Sequence, residues 1–410
     1  MSLKNKIKDS PKSLFSQLVD LIPSHLLEKS VSKYQSDRYC KSYSSRDQLL
    51  TLLFGQLNAC ITLRDITAGF NLNEPFLKDV GMKQSPARST MSDAHKRRDY
   101  RVYADLFTYL MNYYSRYFRK TEGYKQIKAL EHKSMRIIDS TTISVCLSLF
   151  DWARFRTAKG AIKVHTALDE KDELPVCIHI TPGSVHDRKG IDKMRFPDQS
   201  VLIFDRGYYD LKWFNQLDDQ GHTLVTRIKE NAAYMINEQL PIPKKDGHIL
   251  SDMTIIYASD KAIEVGIDQK LFRVVQVWDK DNQQYLDILT NDLALPARVI
   301  ADLYKRRWKI ETFFKAIKQN LRIKTFLGTS ENDAKSQIYV ALIAYVLLEF
   351  IRRYISKQSH AFKQFVNLIR ICLMQYQCLS YVINDITPIT KSIKVRPETD
   401  GGQISLNFTT

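Results

Sequence analysis

The sequence lacks the features that mark several protein classes. Its six cysteines form no Cys-x-x-Cys pair and most lie in apolar runs, which argues against a disulfide framework or a structural zinc site. The longest apolar run, residues 338–350, is shorter than the roughly 20 residues that span a bilayer, so we expect a buried helix there. A Walker loop and a glycine-rich dinucleotide motif are both missing, and a nucleotide-hydrolysing motor is therefore not expected.

Acidic residues are scarce relative to basic ones. The chain has 45 Asp and Glu against 61 Lys and Arg, a formal net charge of +16. Such a surplus favours a polyanionic partner, because each phosphate that a protein neutralises releases condensed counterions. A ribosomal or membrane-surface protein could be equally basic. The basic segment 1–8 is not followed by an apolar signal region, and we expect a cytoplasmic, nucleoid-associated protein without a membrane partner.

Residues 1–125 predict an all-α N-terminal domain. The apolar spacing indicates helices near 13–22, 24–34 and 100–119, and Ser45–Gln48 and Thr62–Asp65 have the form of capping boxes. A basic helix begins near Ser89. Short helices with a basic final helix are typical of helix-turn-helix DNA readers, so we predict that this domain binds DNA. The alternative is a plain helical bundle with a solvated basic face.

Residues 130–345 predict an α/β domain with a mixed sheet. Three runs with short connections, at 135–145, 161–168 and 174–181, indicate an antiparallel meander. The apolar run 201–204 is typical of a buried parallel strand, and a fifth strand is expected at 222–228.

Two further regions complete this division of the chain. Residues 231–293 hold several short strand-like runs, which we interpret as a β-rich insertion in the α/β domain. Pro296 then begins one long helix. Residues 346–410 predict a C-terminal helical region and a loose tail.

Two aspartates occupy unusual positions in the predicted strands. Asp139 interrupts an apolar strand, where an unpaired carboxylate is costly, and Asp205 directly follows the apolar run 201–204. If these two strands pair, the carboxylates become neighbours and repel each other unless a cation neutralises them. The alternative for Asp205 is a cap of a helix or turn.

The helix after Pro296 carries a polar stripe. Four of its residues fall within about 60° of one another when each residue advances by about 100°: Tyr304, Arg307, Glu311 and Lys318. Glu311 lies at the edge of the apolar face, between cations that suit a phosphate chain. A solvated amphipathic helix with ordinary ion pairs is the alternative. With Asp139 and Asp205, Glu311 would form an all-oxygen site, which suits Mg²⁺.

Together these motifs resemble the DDE transposases of bacterial insertion sequences. The Tyr-x2-Arg-x3-Glu-x6-Lys signature of one branch is complete in the polar stripe. Asp205-Arg-Gly-Tyr208 matches the element around the second acid, and Asp139 is followed by Ser-Thr-Thr142 as around the first. A β-rich insertion before the Glu helix is also a feature of the family. The resemblance covers about residues 13–350.

The resemblance implies a ribonuclease-H-like catalytic core that follows the helical domain. Asp139, Asp205 and Glu311 would hold two Mg²⁺ ions, with Mn²⁺ as a substitute. Tyr304, Arg307 and Lys318 would contact the DNA backbone. The implied reaction cleaves double-stranded DNA at the element ends and joins the freed 3′-hydroxyl to target DNA by two-metal phosphoryl transfer. A homodimer in the DNA complex is expected, with residues 338–355 and 362–381 as candidate contacts.

Weaker DNA-binding candidates are four further residues: Lys163, His165, Arg206 and Lys315. His186 and Asp187, after the third strand, are also weak candidates for the site. Trp278 and Trp308 could stack on an unpaired base, although a core role is favoured. Two rival functions remain open: a nuclease of the same fold that does not transfer strands, and a catalytically retired transposase that regulates by binding DNA.

Overall fold

The computed structural model describes residues 12–71, 74–118, 127–156, 159–242, 248–280, 282–321, 323–356 and 360–384. The predicted C-terminal tail, from about residue 386, lies outside this range. None of the helices in these segments is long and apolar enough to cross a membrane.

The N-terminal part of the described chain is helical. Its helices are α1 (Leu14–Val19), α2 (Ser24–Tyr34), α3 (Ser45–Leu57), α4 (Leu63–Asn71), α5 (Glu74–Asp79), α6 (Arg88–Arg97) and α7 (Arg101–Phe118). The box predicted at Thr62–Asp65 forms, since each residue's side chain accepts the other's backbone N–H. The box at Ser45–Gln48 is displaced by one residue: Ser44 is the N-cap, and Asp47 accepts its N–H at 2.8 Å.

A mixed ten-stranded sheet forms the centre of the described chain. Its strands are β1 (Met135–Val145), β2 (Arg154–Arg156), β3 (Lys159–Asp169), β4 (Pro175–Pro182), β5 (Val201–Phe204), β6 (Thr223–Arg227), β7 (Tyr234–Gln239), β8 (Ile249–Tyr257), β9 (Phe272–Asp279) and β10 (Gln284–Thr290). The meander β1–β3–β4 is antiparallel, whereas β5 pairs in parallel with both β1 and β6. The predicted mixed sheet of a ribonuclease-H-like core is therefore confirmed.

The β-rich insertion continues this sheet. β10 pairs antiparallel with β6, and the order then runs β10–β9–β8–β7 to the edge. The two runs expected at 248–250 and 254–257 belong to one strand, β8. Strand β7 was not expected, because its polar and apolar residues do not alternate. Its residues from Met235 onwards are all exposed. A buried ion pair between Arg273 and Asp252, at 2.6 Å, connects β9 to β8.

The expectation of one long helix after Pro296 is wrong. Two helices form, α11 (Ala297–Lys305) and α12 (Trp308–Asn320), with a turn between them at Arg306 and Arg307. Pro296 is the N-cap of α11. At the turn, the amide of Arg307 donates to the carbonyl oxygen of Tyr304, three residues back, at 3.0 Å, so the helix tightens there.

Helices cover both faces of the sheet. The shorter ones are α8 (Asp187–Gly190), α9 (Leu211–Asp219) and α10 (Asp260–Glu264); the C-terminal ones are α13 (Glu331–Phe350), a π-helical turn at Ile351–Ile355, α14 (Phe362–Cys372) and α15 (Leu379–Asn384). The N-terminal helices, α11–α14 and one sheet face share a single apolar core, and α9 packs on the other face. The division into three domains stays a prediction; α13 runs across its proposed boundary at 345/346.

Helix α13 fills the centre of the larger core. Every residue from Asp333 to Phe350 except Lys335 is buried, which confirms the expected buried helix. The same burial removes most of 338–355 as a surface for a second copy of the chain.

Candidate active site

The register of the sheet brings Asp139 and Asp205 together. β1 and β5 run in parallel with Ile138 opposite Phe204, so the two aspartates come next on neighbouring strands. Each carboxylate accepts a backbone N–H: Asp139 Oδ1 from Ser140 at 2.7 Å, and Asp205 Oδ1 from Gly207 at 3.0 Å. These bonds fix both side chains at one edge of the sheet.

Both carboxyl groups are reluctant to ionise. Burial and, to a smaller extent, the negative charge of Asp205 raise the pKa of Asp139 to about 7. Burial likewise raises the pKa of Asp205. A cation bound between two such desolvated carboxylates would reduce their repulsion and favour the ionised form of both.

Glu311 lies in the first turn of α12 and pairs with Arg307. The distance from Arg307 Nη2 to Glu311 Oε1 is 2.7 Å, and Nη1 lies 4.0 Å from Asp139 Oδ2. The Arg307 guanidinium also lies over the ring of Trp308 at 5.2 Å, and the side chain of Tyr304 is buried beside it. Arg307 thus stands between two of the predicted catalytic acids.

Lys318 reaches the same strand from the far end of α12. Its Nζ donates to the carbonyl oxygen of Thr142 at 2.9 Å, three residues after Asp139. The four residues of the Tyr-Arg-Glu-Lys signature therefore face β1 and its neighbours, even though the helix that was expected to align them is broken.

The donor set fits a hard divalent cation. Asp139, Asp205 and Glu311 offer only carboxylate oxygens, and the first two are desolvated and repel each other. Within the described residues, however, no group of three or more acidic, histidine or cysteine side chains is already close enough to hold a metal ion. Instead, the guanidinium of Arg307 provides the positive charge between Asp139 and Glu311.

Asp187 is a fourth carboxylate beside the pair. Its Oδ1 accepts the Ser140 hydroxyl at 2.6 Å and lies 3.2 Å from Lys163 Nζ. Lys163 also donates to the carbonyl oxygen of Val185 at 2.9 Å. The predicted DNA contact Lys163 is therefore part of the internal scaffold that holds the residue after Asp139.

The other weak candidates occupy different environments. His165 is fully buried, with Nε2 2.9 Å from Thr181 Oγ1, and burial lowers its pKa to about 4. Since it does not reach the surface, direct contact with DNA is not available to it. Arg206 pairs with Glu230 at 2.7 Å, and Lys315 is exposed one turn after Glu311. Trp308 is 52% exposed, so the expected core role is wrong for it.

One important residue was missed. Glu170, in the turn after β3, is fully buried and receives both Arg306 Nη1 at 2.8 Å and Lys309 Nζ at 2.7 Å. These two cations flank Arg307 at the break between α11 and α12. The acidic turn 169–173 was interpreted only as a connection, and its pairing with a helix more than 130 positions away has no local signal.

Comparison with known proteins decides the family. The family model described as "Transposase DDE domain" matches residues 131–347, which is more than half of the chain. This chain belongs to that family. A second model, a domain of unknown function called DUF4372, matches residues 10–83.

Curated relatives agree with this assignment. A putative transposase, y4zB, of Sinorhizobium fredii is 30% identical over 79% of this chain and 87% of its own length. A probable transposase for insertion sequence element IS5377 of Geobacillus stearothermophilus is 30% identical over 58% of this chain and 62% of that protein. Among solved structures, a piggyBac transposase synaptic complex with hairpin DNA matches with a TM-score of 0.42 and 10% identity, covering 91% of this chain and 79% of that one.

The predicted class of enzyme is thereby confirmed. The chain is a DDE transposase, an enzyme of DNA cleavage and strand transfer that uses divalent metal ions. DNA is its substrate.

Proposed function

We propose that Asp139, Asp205 and Glu311 are the catalytic acids and hold two Mg²⁺ ions, with Mn²⁺ able to replace them. The observation that carries this is the adjacency of Asp139, within β1, and Asp205, directly after β5; burial and the charge of Asp205 raise the pKa of Asp139 to about 7. Bound ions would activate a water or the 3′-hydroxyl of the DNA and stabilise the leaving oxygen.

The chain's own residues then position the DNA. Arg307 has two N–H groups directed at acids of the site, and its planar guanidinium suits a phosphate equally well. Lys318 and the exposed Lys315 both lie further along α12 and would contact the DNA backbone on that side of the scissile phosphate. Tyr304, buried next to Arg307, keeps that guanidinium in place.

Recognition of the element ends is assigned to the helical domain. α6 exposes Arg88, Lys96 and Arg97, while Met91 and His95 face the core. A helix with one buried face and one basic exposed face can lie against a DNA groove. A homodimer that cuts both ends together is part of the proposal, and its contacts must lie outside the buried part of α13.

The test uses duplexes copied from the DNA that flanks the coding region. With Mg²⁺, the chain should nick these ends and join a pre-cleaved 3′ end to a second duplex. Asp205→Asn should abolish both reactions and retain binding. The control is Asp219→Asn: Asp219 is an exposed acid on α9 that pairs with Lys270, and its substitution should leave both reactions unchanged. Nicking without joining would support the nuclease instead, and binding without nicking by the unaltered chain would support the regulator.

The number of ions has its own measurement. Calorimetric titration with Mn²⁺ in the presence of end DNA should give two sites per chain, and Asp139→Asn should lose at least one. A single site in the unaltered chain would contradict the two-ion proposal and leave the catalytic acids in question.

A further inference from the structure

A small basic cavity opens beside the C-terminal end of α12. Its volume is about 280 Å³, and its lining includes three cations, Lys318, Lys324 and Arg370. The lining residues that the structure describes include no carboxylate. Concentrated positive charge around a cavity whose described lining holds no carboxylate favours an anionic ligand.

The two lysines line the same cavity, and among the described residues neither forms an ion pair with an acid; the charge of Asp139 acts on Lys318 without such a contact. Lys318 is half-buried and donates to the carbonyl oxygen of Thr142 at 2.9 Å, which fixes its ammonium between β1 and the cavity. Burial lowers the pKa of Lys318, and the positive charge of the nearby Lys324 lowers it further. Bringing two ammonium groups together costs free energy that an anion between them would recover.

The ends of the neighbouring helices explain only part of this charge. Arg370 donates from Nε to the carbonyl oxygen of Leu57 and from Nη2 to that of Asn320, both at 2.7 Å. These are terminal residues of α3 and α12, where cations are favoured by the helix dipole. Lys318 also lies in the last turn of α12, whereas Lys324 lies beyond the end of that helix, so the helix ends do not account for Lys324.

Helix and strand spacing place the cavity about 10 Å from the predicted acids. Lys318 follows Glu311 by seven residues of helix, about 10 Å along the axis. Thr142 follows Asp139 by three residues of strand, again about 10 Å. Since a DNA strand advances by roughly 3.4 Å per nucleotide, a strand cut at the acids would pass the cavity within about three nucleotides of the cut.

We infer that this cavity binds a backbone phosphate of the DNA strand that is cut, about three nucleotides or fewer from the scissile phosphate, with Lys324 and Lys318 as its charged contacts and Arg370 as its floor. The inference rests on the proposed catalytic role of Asp139, Asp205 and Glu311. It adds Lys324 and Arg370 to the DNA-binding surface and gives them a site. Only electrostatic binding is involved, with no covalent step.

The first experiment measures binding without any reaction. End-duplex binding by fluorescence anisotropy, in EDTA and across a range of KCl concentrations, separates affinity from cleavage. Lys324→Gln should weaken binding severalfold and reduce the slope of log K against log[salt] by about 1, the value for one lost phosphate contact. Lys212→Gln makes the same charge change on α9, on the opposite face of the sheet, and should alter neither.

The second experiment locates the phosphate. Single uncharged methylphosphonate linkages are placed at successive positions next to the cut. One position within about three nucleotides should weaken binding of the unaltered chain but not of Lys324→Gln, because the variant has already lost that contact. Equal losses for both proteins at every position would overturn the inference.

The outcomes separate this inference from the proposal on which it rests. If Lys324→Gln binds like Lys212→Gln while the unaltered chain still cleaves, the cavity does not bind DNA and the catalytic proposal survives. If the neutral linkage acts as expected but Asp205→Asn still cleaves, the catalytic acids are wrong. A third outcome would show a site for free anions and overturn the inference. In that case inorganic phosphate raises the melting temperature of the unaltered chain but not that of Lys324→Gln, while Lys324→Gln binds end DNA as tightly as the unaltered chain.

Discussion

Glu170 and Arg306, 136 positions apart in the sequence, form an ion pair of 2.8 Å that joins the turn after β3 to the break between α11 and α12. The Glu170 side chain is fully buried, and Lys309 Nζ lies 2.7 Å from the same oxygen. Arg307, between these two cations, is thereby directed away from Glu170 and towards Glu311. A buried carboxylate in a remote turn therefore sets the position of the signature arginine.

Replacing this carboxylate by an amide tests the relationship. Glu170→Gln removes the buried charge that Arg306 and Lys309 share, and breaking such a buried pair typically costs about 3–5 kcal/mol. We expect a loss of stability of this order in urea unfolding, and DNA nicking that falls more than end binding does. Glu173→Gln, in the same turn but with a 45% exposed side chain 3.2 Å from Lys309, should cost less than about 1 kcal/mol. Equal losses for the two variants would contradict the special role of Glu170.

The neighbouring aspartates could be predicted from the sequence for a simple physical reason. An apolar run of four residues that ends in Asp205 indicates a buried strand, and Asp139 lies within another. Parallel strands end at one edge of a sheet, so a single assumption about pairing places both carboxylates together. That assumption is correct, since β1 and β5 pair in parallel.

The broken helix and the edge strand could not be predicted in the same way. Residues 297–320 contain neither glycine nor proline, so local propensity favours a continuous helix, and the turn at Arg306 is held by Glu170 from another part of the chain. β7 pairs with β8 through its backbone and exposes nearly all its side chains, so it lacks the alternation on which strand prediction depends.

Stability without metal should depend on the charge of Asp139. Its pKa is raised from 3.8 to about 7, so between these values the native chain keeps a proton that the unfolded chain has released. Stability then falls as the pH rises through this window, and the full penalty is present above about pH 7. Asp139→Asn, which carries no charge, should melt at a higher temperature than the unaltered chain at pH 8 in EDTA, and the difference should shrink towards pH 4.

A divalent cation should reverse this difference. Mg²⁺ at pH 8 should raise the melting temperature of the unaltered chain more than that of Asp139→Asn, because binding to the native state stabilises it. Asp219→Asn serves as the control and should follow the unaltered chain with and without the ion. A destabilised Asp139→Asn at pH 8 in EDTA would show that the carboxylate is not under electrostatic strain.

Asp187 should matter for catalysis through the residue after Asp139. Asp187→Asn keeps the shape and an amide oxygen that can still accept the Ser140 hydroxyl, but it removes the negative charge that pairs with Lys163. We expect the Mg²⁺ concentration for half-maximal nicking to rise severalfold while end binding in EDTA is unchanged. Asp192→Asn, which removes an exposed acid paired with Arg188 just beyond α8, should leave both quantities unaltered. An unchanged Mg²⁺ requirement for Asp187→Asn would limit this residue to a role in folding.

His165 and Gly190 should behave as one packing unit. A Cβ atom at position 190 would overlap the imidazole ring of His165, which is fully buried beneath it. Gly190→Ala should therefore lower the free energy of unfolding by about 1–3 kcal/mol, the usual cost of overpacking. His165→Ala creates the missing space, so the double variant should be more stable than the sum of the two single changes by at least about 1 kcal/mol. Strict additivity in urea unfolding would show that the ring moves aside freely. The salt dependence of end binding should be unchanged in His165→Ala, because a buried neutral imidazole neutralises no phosphate.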